Sequence, residues 1–201
     1  MPAIVTRFLR EASAAGRIGN PHIVETFDAG SLESGEPYIV MELMSGRSPD
    51  SLLAERGNLD FGEAIGYVRQ ACRGLEAAHN AGIIHRDLKP DNLFIEPGPF
   101  VKILDFGISK FDATLTGSAQ LTRAGAMLGT PAYMAPEQLV GAAVDGRSDI
   151  YAFGVVLNEM VTGRHPLSSF PVSIPPPFAA VIARCMQPDP AARYASAREL
   201  L

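Results

Sequence analysis

The sequence has few of the features that mark secreted or membrane-spanning chains. Its two cysteines, Cys72 and Cys185, stand far apart, and neither has a CxxC-like or His-rich neighbourhood. We expect both to be buried small hydrophobic residues in a reducing compartment. No basic-then-apolar leader opens the chain, and no apolar run approaches the roughly 18 residues that span a bilayer. These absences predict a cytoplasmic protein with no membrane segment within this chain.

Positive charge is also scarce. Lysine and arginine number 17 against 22 acidic residues, which gives a formal net charge of −5, and the basic residues are scattered rather than striped. We therefore expect no nucleic-acid partner. Hydrophobic residues make up 47% of the 201 residues, so the chain can bury one good core. A two-lobed unit and two small domains are both compatible with this length.

The hydrophobic pattern predicts an α+β protein. Strand-like runs occupy residues 23–28, 38–43, 93–95 and 101–104, the last two around a turn at residues 97–99. Helical patterns occupy residues 5–16, 49–56, 60–82, 147–162, 178–186 and 195–201. Asp60 can cap the third of these helices. His79, near its end, is expected to be satisfied within the fold rather than to act as a ligand.

One polar loop, residues 85–92, concentrates the chemistry of the chain; it reads His-Arg-Asp-Leu-Lys-Pro-Asp-Asn. Asp87 can accept a hydroxyl proton and Lys89 can neutralise a transferring phosphate. Asn92, with Asp105 of the following Asp-Phe-Gly, offers hard oxygen ligands to Mg²⁺. The structural alternative is that the two aspartates merely cap turns, which is a common role of this residue.

A second long segment carries little apolar surface. Residues 108–129 are rich in Thr, Ser, Gly and Ala, and include Thr114, Thr116, Ser118 and Thr122. A loop of this length inside a compact domain is usually functional or disordered.

The order of these segments resembles the eukaryotic-like serine/threonine protein kinases, in particular the bacterial branch. Matching motifs are residues 38–44 as last strand and hinge, 85–92 as catalytic loop, 105–107 as metal-binding turn, Gly129-Thr130 before Ala135-Pro136-Glu137, and Asp149 opening a central helix. Each motif alone is weak, and together, in order, they are specific. The resemblance implies a protein-kinase-like fold, with a partial N-lobe over residues 1–44 (helix C plus the last sheet strands) and a mostly helical C-lobe over residues 45–201.

The resemblance also implies roles in phosphoryl transfer from ATP to protein substrates. Asp87 would orient the substrate hydroxyl and accept its proton, and Lys89 would steady the γ-phosphate, a pairing similar to that of serine/threonine kinases. Asn92 and Asp105 would hold Mg²⁺. These assignments follow the family template and imply ATP and Mg²⁺ as cofactors.

The adenine site is implied at the hinge. Backbone groups near Glu42 and Met44 would bind the base, and the Phe94 side chain would lie beneath it. A plain core role for Phe94 is an alternative.

Regulatory and scaffold positions are implied as well. Arg86 would be the socket for an activation-loop phosphate because guanidinium binds phosphate bidentately. Thr122 is the best acceptor in the loop, with a solvated loop residue as the alternative reading. Glu137 and Arg193 match a buried ion pair, and Asp149 resembles the residue that bonds the catalytic-loop backbone.

The sequence departs from the family at its start. Glu11 stands where the helix-C glutamate is expected, but no Gly-x-Gly-x-x-Gly precedes it, and the only lysines are Lys89, Lys102 and Lys110, all downstream. The tail between Pro166 and Phe178 is also short. We therefore expect this chain to be a weak or inactive kinase with marginal stability.

Three classes of function compete on this sequence. The first is a serine/threonine kinase domain, favoured because Asp87, Lys89, Asn92 and Asp105 are all present. The second is a truncated pseudokinase-like module that binds proteins, favoured by the missing lysine. The third is a helical domain with chance motifs. The oligomeric state is open.

Overall fold

The computed structural model of the protein describes residues 14, 18–106, 131–168 and 173–201. Most of the predicted helix over residues 5–16, with Glu11, lies outside these residues, as do the 108–129 loop with Thr122, Gly107 and the Gly129-Thr130 pair. In chain order the elements are β1 (Thr26–Ser31), β2 (Pro37–Met41), α1 (Pro49–Arg56), α2 (Phe61–Asn80), β3 (Leu93–Glu96), β4 (Phe100–Ile103), α3 (Pro136–Leu139), α4 (Gly146–Thr162), α5 (Pro176–Cys185) and α6 (Ala197–Leu200).

The strands form two antiparallel pairs. β1 pairs with β2, with Ala29 opposite Ile39, and β3 pairs with β4, with Phe94 opposite Lys102. The predicted α+β class and the predicted hairpin over residues 93–104 are therefore confirmed. The predicted second strand is two residues too long, because β2 ends at Met41 and the Leu43 side chain beyond it is fully exposed.

The predicted strand over residues 23–28 is wrong at its start. Residues 22–25 precede β1 and pair instead with the edge of β4: Ile103 N donates to His22 O at 2.9 Å, and Val24 N donates to Ile103 O at 3.0 Å. Glu42 N, just after β2, donates to Glu25 O at 3.0 Å. The short segment 22–25 thus joins the two sheets through backbone hydrogen bonds.

The two longer predicted helices near the middle of the chain form as expected. Asp60 caps α2 by accepting a hydrogen bond from Gly62 N at 2.8 Å. Such a cap satisfies a backbone donor that the first helical turn leaves without a partner. The apolar stripe of α2 then packs inward against β4 and α4.

Helix α4 is the central buried helix that its sequence predicts. It contributes Phe153, Val156, Leu157 and Met160 to a core completed by α2, β3 and β4. The helix ends at Gly163, whose φ of 68° is left-handed, and a Cβ there would lie 1.9 Å from the Gly57 carbonyl oxygen. Glycine is therefore required at this position by both conformation and space.

The cysteines are free and buried, as expected. Burial raises the pKa of both the Cys72 and the Cys185 thiols, so both are protonated. Within the described ranges, none of the helices combines the length and apolarity that crossing a membrane requires.

Candidate functional site

The polar loop, residues 85–92, is fixed to the first turn of α4 by one buried carboxylate. Asp149 Oδ2 accepts from His85 N at 2.8 Å, and Asp149 Oδ1 accepts from Arg86 N at 2.7 Å. The Asp149 side chain is only 1% exposed. Hydrogen bonds to a charged acceptor are among the stronger ones in proteins. The loop therefore starts from a rigid anchor in the core.

A histidine completes that anchor. His79 Nε2 lies 2.7 Å from Asp149 Oδ2, and the His79 side chain is 15% exposed. The Nδ1 side of the ring packs against Gly146, where a Cβ would lie 2.7 Å from Nδ1. His79 is satisfied within the fold, as its sequence position predicts.

His85 links the polar loop to the residues after β4. Its ring is fully buried, Nε2 lies 2.7 Å from Leu104 O, and its centroid lies 4.7 Å from that of Phe106. Leu104 N in turn donates to Asn92 O at 2.9 Å. Asp105, between Leu104 and Phe106, is therefore held beside the polar loop.

Asp87 and Lys89 lie together at the open side of the loop. Lys89 Nζ is 3.8 Å from Asp87 Oδ2, and the two side chains are 21% and 24% exposed. A second carboxylate, Asp91, lies 4.0 Å from the same ammonium. The exposure leaves both Asp87 and Lys89 reachable by a substrate, and their proximity places an acceptor for a proton beside a fixed positive charge.

Asn92 and Asp105 fit a hard cation by the chemistry of their donor atoms. Asn92 Nδ2 donates to Asp87 O at 2.7 Å, which leaves the amide oxygen as the end that can ligate. Burial raises the pKa of Asp105; His85 and Lys89 oppose that shift and Asp87 adds to it. A partly desolvated carboxylate gains from a nearby cation.

The described residues hold no cluster of three or more His, Cys, Asp or Glu side chains with metal-binding geometry. An octahedral Mg²⁺ takes one or two protein oxygens and completes its shell from phosphates and water. The pair Asn92 and Asp105 fits that pattern rather than a cage built by the protein alone.

Glu42, just after β2, forms an ion pair with Lys102 of β4. Lys102 Nζ lies 2.5 Å from both carboxylate oxygens of Glu42, and Glu25 N donates to Glu42 Oε1 at 2.8 Å. Burial alone would raise the pKa of Glu42, but the hydrogen bonds from Lys102 and Glu25 bring it below its ordinary value. Glu42 N also donates to Glu25 O at 3.0 Å, so among the described residues the carbonyl oxygen is the group of Glu42 that is left to bind a ligand.

Phe94 and Met44 are both half-buried. Phe94 lies on the face of β3 opposite to the buried Leu93 and Ile95, and is paired across the strands with Lys102. That placement puts Phe94 on the side of the hairpin that carries the Glu42 contact. Lys102 has no motif signal in the sequence, and its contact with Glu42 emerges only from the fold.

Arg86 has a strained backbone and a free donor. Its φ is 70°, its carbonyl oxygen accepts from Gln138 Nε2 at 2.8 Å, and its Nε is buried without a partner among the described residues. The proposed phosphate acceptor, Thr122, lies outside the described residues.

The structure brings Glu137 and Arg193 into a buried ion pair. Arg193 Nη1 lies 2.7 Å from Glu137 Oε1 and Nη2 lies 2.8 Å from Oε2, and the Arg193 side chain is fully buried. Ser148 Oγ also donates to Glu137 at 2.5 Å. Against the effect of burial, Arg193 and Ser148 lower the pKa of Glu137 below its ordinary value.

Three acidic residues, Asp50 on α1, Asp91 in the polar loop and Glu159 on α4, interact electrostatically. The sequence does not predict this group, because its members come from three separate parts of the chain. Tyr133 Oη donates to Glu159 Oε2 at 2.6 Å. Burial, and then the neighbouring Asp91 carboxylate, raise the pKa of Asp50 to about 6. No regular spacing in the sequence marks these side chains as neighbours.

Comparisons of the sequence with known proteins match nearly the whole chain. The protein kinase domain family model matches residues 3–201. The chain is 44% identical to the serine/threonine-protein kinase pkn3 of Myxococcus xanthus over 82% of this chain and 31% of that protein. It is 39% identical to a probable serine/threonine-protein kinase of Clostridium acetobutylicum over 98% of this chain and 32% of that protein. With PknB of Mycobacterium leprae it shares 36% identity over 99% of this chain and 35% of that protein. The chain therefore spans about a third of the length of these relatives.

Proposed function

Since this chain belongs to the protein kinase domain family, we propose that it transfers the γ-phosphoryl group of ATP to serine and threonine hydroxyls of proteins. The observation that carries the proposal is the pair Asp87 and Lys89, 3.8 Å apart on a loop whose backbone is anchored to Asp149. Phosphoryl transfer depends on positioning and electrostatic stabilisation more than on covalent chemistry. A rigidly anchored acid–base and charge pair suits that requirement.

Asp87 orients the acceptor hydroxyl and takes its proton, while Lys89 holds negative charge on the transferred group. A bound Mg²⁺, held by Asn92 and Asp105, would supply charge neutralisation on the phosphates. The hydrogen bond from Asn92 Nδ2 to Asp87 O, 2.7 Å long, fixes the position of the proton acceptor relative to the metal ligand.

The base of the nucleotide binds beside residues 42–44. The carbonyl oxygen of Glu42 and the backbone of Met44 offer hydrogen-bonding groups, and the half-buried Phe94 offers an apolar surface. Residues 1–44 and 45–201 would act as the two lobes around that site, in a reducing cytoplasmic compartment.

Phosphorylation of the 108–129 loop regulates the site in this proposal. Arg86 would receive the phosphate of Thr122, supported by a buried Nε that has no partner among the described residues. A phosphate at that position adds charge-assisted hydrogen bonds that order a loop.

In this 201-residue sequence no lysine precedes Lys89 and no Gly-x-Gly-x-x-Gly precedes Glu11. In this family the Gly-rich loop normally covers the ATP phosphates, and the lysine normally forms an ion pair with them. A protein-binding module without catalysis is the second candidate, and the same missing lysine favours it.

Phosphoamino-acid analysis distinguishes the two candidates. The chain is incubated with γ-labelled ATP, Mg²⁺ and a basic Ser/Thr-rich protein, and the label is expected as phosphoserine or phosphothreonine. Absence of any labelled amino acid after prolonged incubation would favour the module. The codons upstream of Met1 add a second test: an in-frame Gly-rich segment and strand lysine favour the enzyme, and a stop codon favours the module.

A further inference from the structure

We infer that Lys102 is a positioning residue for the nucleotide: through Glu42 it holds the base-binding segment at a fixed place relative to Asp105. The inference rests on the proposed function, because it concerns how the same site receives its nucleotide. Lys102 would touch neither the base nor the phosphates, and it acts through Glu42.

The contact itself is short and two-pronged. Lys102 Nζ lies 2.5 Å from each carboxylate oxygen of Glu42, and the two side chains are 14% and 22% exposed. A symmetric contact of this kind fixes direction as well as distance. It differs from the exposed ion pairs of this chain, such as Arg184 with Glu199, where the side chains are 46% and 39% exposed.

Backbone hydrogen bonds close a ring around this ion pair. Glu42 is bonded twice to Glu25, through its own N–H to Glu25 O at 3.0 Å and through Oε1 to Glu25 N at 2.8 Å. Val24, the preceding residue, donates to Ile103 O at 3.0 Å, and Ile103 follows Lys102 in the chain. A closed ring of contacts therefore runs from Glu42 through residues 24–25 and β4 to Lys102 and back to Glu42. Each step of the ring is a hydrogen bond, an ion pair or a covalent connection.

The ring spans the two ends of the proposed nucleotide site. Its Glu42 side borders the backbone that binds the base, and its Lys102 side lies three residues before Asp105 on the same strand and its extension. The polar loop has a separate anchor in Asp149. Loss of the ion pair should therefore disturb the distance between base and metal ligand while leaving Asp87 and Lys89 in place.

Water can reach the ion pair of Glu42 and Lys102. Replacing Lys102 therefore leaves the Glu42 carboxylate hydrated rather than buried without a partner. Glu42 and Lys102 border an open cleft of about 330 Å³ that is also lined by Gly19, Asn20 and Pro21. A carboxylate that can be rehydrated costs far less than one left in a closed core. The Lys102→Met chain is accordingly expected to fold.

Nucleotide binding by the full chain tests the inference. Dissociation constants of adenosine and of Mg-ADP are measured by calorimetry for the unmodified chain, Lys102→Met, Lys102→Arg and Arg56→Met. Adenosine binding depends on the base site alone, whereas Mg-ADP binding depends on both the base site and the metal ligands. The matched control, Arg56→Met, removes a bidentate pair with Glu63 at 2.9 and 2.7 Å that lies on α1 and α2.

We expect Lys102→Met to weaken Mg-ADP by about tenfold, equivalent to about 1.4 kcal/mol, and adenosine by less than about twofold. Lys102→Arg should bind Mg-ADP nearly as well as the unmodified chain, because the guanidinium retains the positive charge and can donate to both carboxylate oxygens of Glu42. Arg56→Met should change neither constant.

Equal weakening of both ligands, or no change in either, would overturn the inference while leaving the proposed function standing. Failure of the unmodified chain to bind Mg-ADP would contradict both the inference and the proposed function. If Lys102→Met does not fold, Glu42→Gln decides, because it keeps the oxygen that accepts from Glu25 N and loses the charge. An unchanged Mg-ADP constant in a folded Glu42→Gln chain would also overturn the inference.

Discussion

Arg193 shows at the scale of a single side chain how this fold binds its C-terminal residues to the middle of the chain. It is fully buried, and it donates to Glu137 as well as to the carbonyl oxygens of Arg147, Gln187 and Pro188. We predict that Arg193→Met lowers the free energy of unfolding by about 3–5 kcal/mol, because it leaves a buried carboxylate unpaired. Urea denaturation followed by circular dichroism measures this loss.

The control for this prediction is Arg198→Met. Arg198 is 82% exposed and lies 3.8 Å from Glu76, and surface pairs of this kind contribute about 0–1 kcal/mol. Equal stability losses in the two variants would contradict the assigned role of the buried pair.

Glu137 makes the same contact sensitive to pH. Its folded-state pKa lies below the ordinary value of 4.5, so its contribution to stability is fully present above that value and is lost as pH falls through the folded pKa. The difference in unfolding free energy between the unmodified chain and Glu137→Gln should therefore be largest at neutral pH and shrink below about pH 4.5. A difference that stays constant from pH 7 to pH 3 would refute this assignment.

At the scale of elements, local signals predict helices better than strands. α2 and α4 begin after the capping residues Asp60 and Asp145 and carry apolar stripes, and α1 and α4 end at Gly57 and Gly163; each signal lies within one segment. A strand is stabilised by partners that are distant in sequence, and so the pairing of residues 22–25 with β4 is invisible in the local pattern. The predicted strand over 23–28 is wrong at its start for that reason.

The candidate site divides in the same way. The polar loop and Asp105 carry recognisable residue types at fixed spacing, so the sequence alone points to them. Lys102 belongs to no motif and lies 60 residues from Glu42, and their contact depends on how residues 22–25 join the two sheets. Long-range electrostatic contacts of this kind require the fold before they can be recognised.

The turn after α4 provides a prediction about an element boundary. Gly163 has φ 68°, and an added Cβ would lie 1.9 Å from Gly57 O. We predict that Gly163→Ala costs at least about 2 kcal/mol of unfolding free energy, since it combines backbone strain with a clash against main chain. Thermal and urea unfolding measure the loss.

Gly141→Ala is the matched control, because its φ is 67° and nothing lies within 4 Å of an added Cβ. It should lose only about 1 kcal/mol, the cost of the left-handed conformation alone. Similar losses at the two glycines would show that the contact with Gly57 is relieved by a shift of the α1–α2 turn.

At the scale of the whole molecule, the proposed phosphoryl-transfer site lies on a well-packed helical body. The core of α2, α4, β3 and β4 supports the polar loop from below. β1 and β2 instead keep large apolar side chains in solvent, with Phe27 62% and Val40 45% exposed among the described residues. Stability is accordingly expected to concentrate in the helical body, with the β1–β2 pair opening first.

The most direct test of the central claim is the single-turnover rate of γ-phosphoryl transfer to protein by the unmodified chain, Asp87→Asn and Asp28→Asn. Asp28 supplies the control, as an exposed carboxylate on β1. We predict a rate that falls by about 10²–10⁴-fold in Asp87→Asn, the usual contribution of a positioned general base, and is unchanged in Asp28→Asn. Transfer that persists in Asp87→Asn at the rate of the unmodified chain would contradict the account.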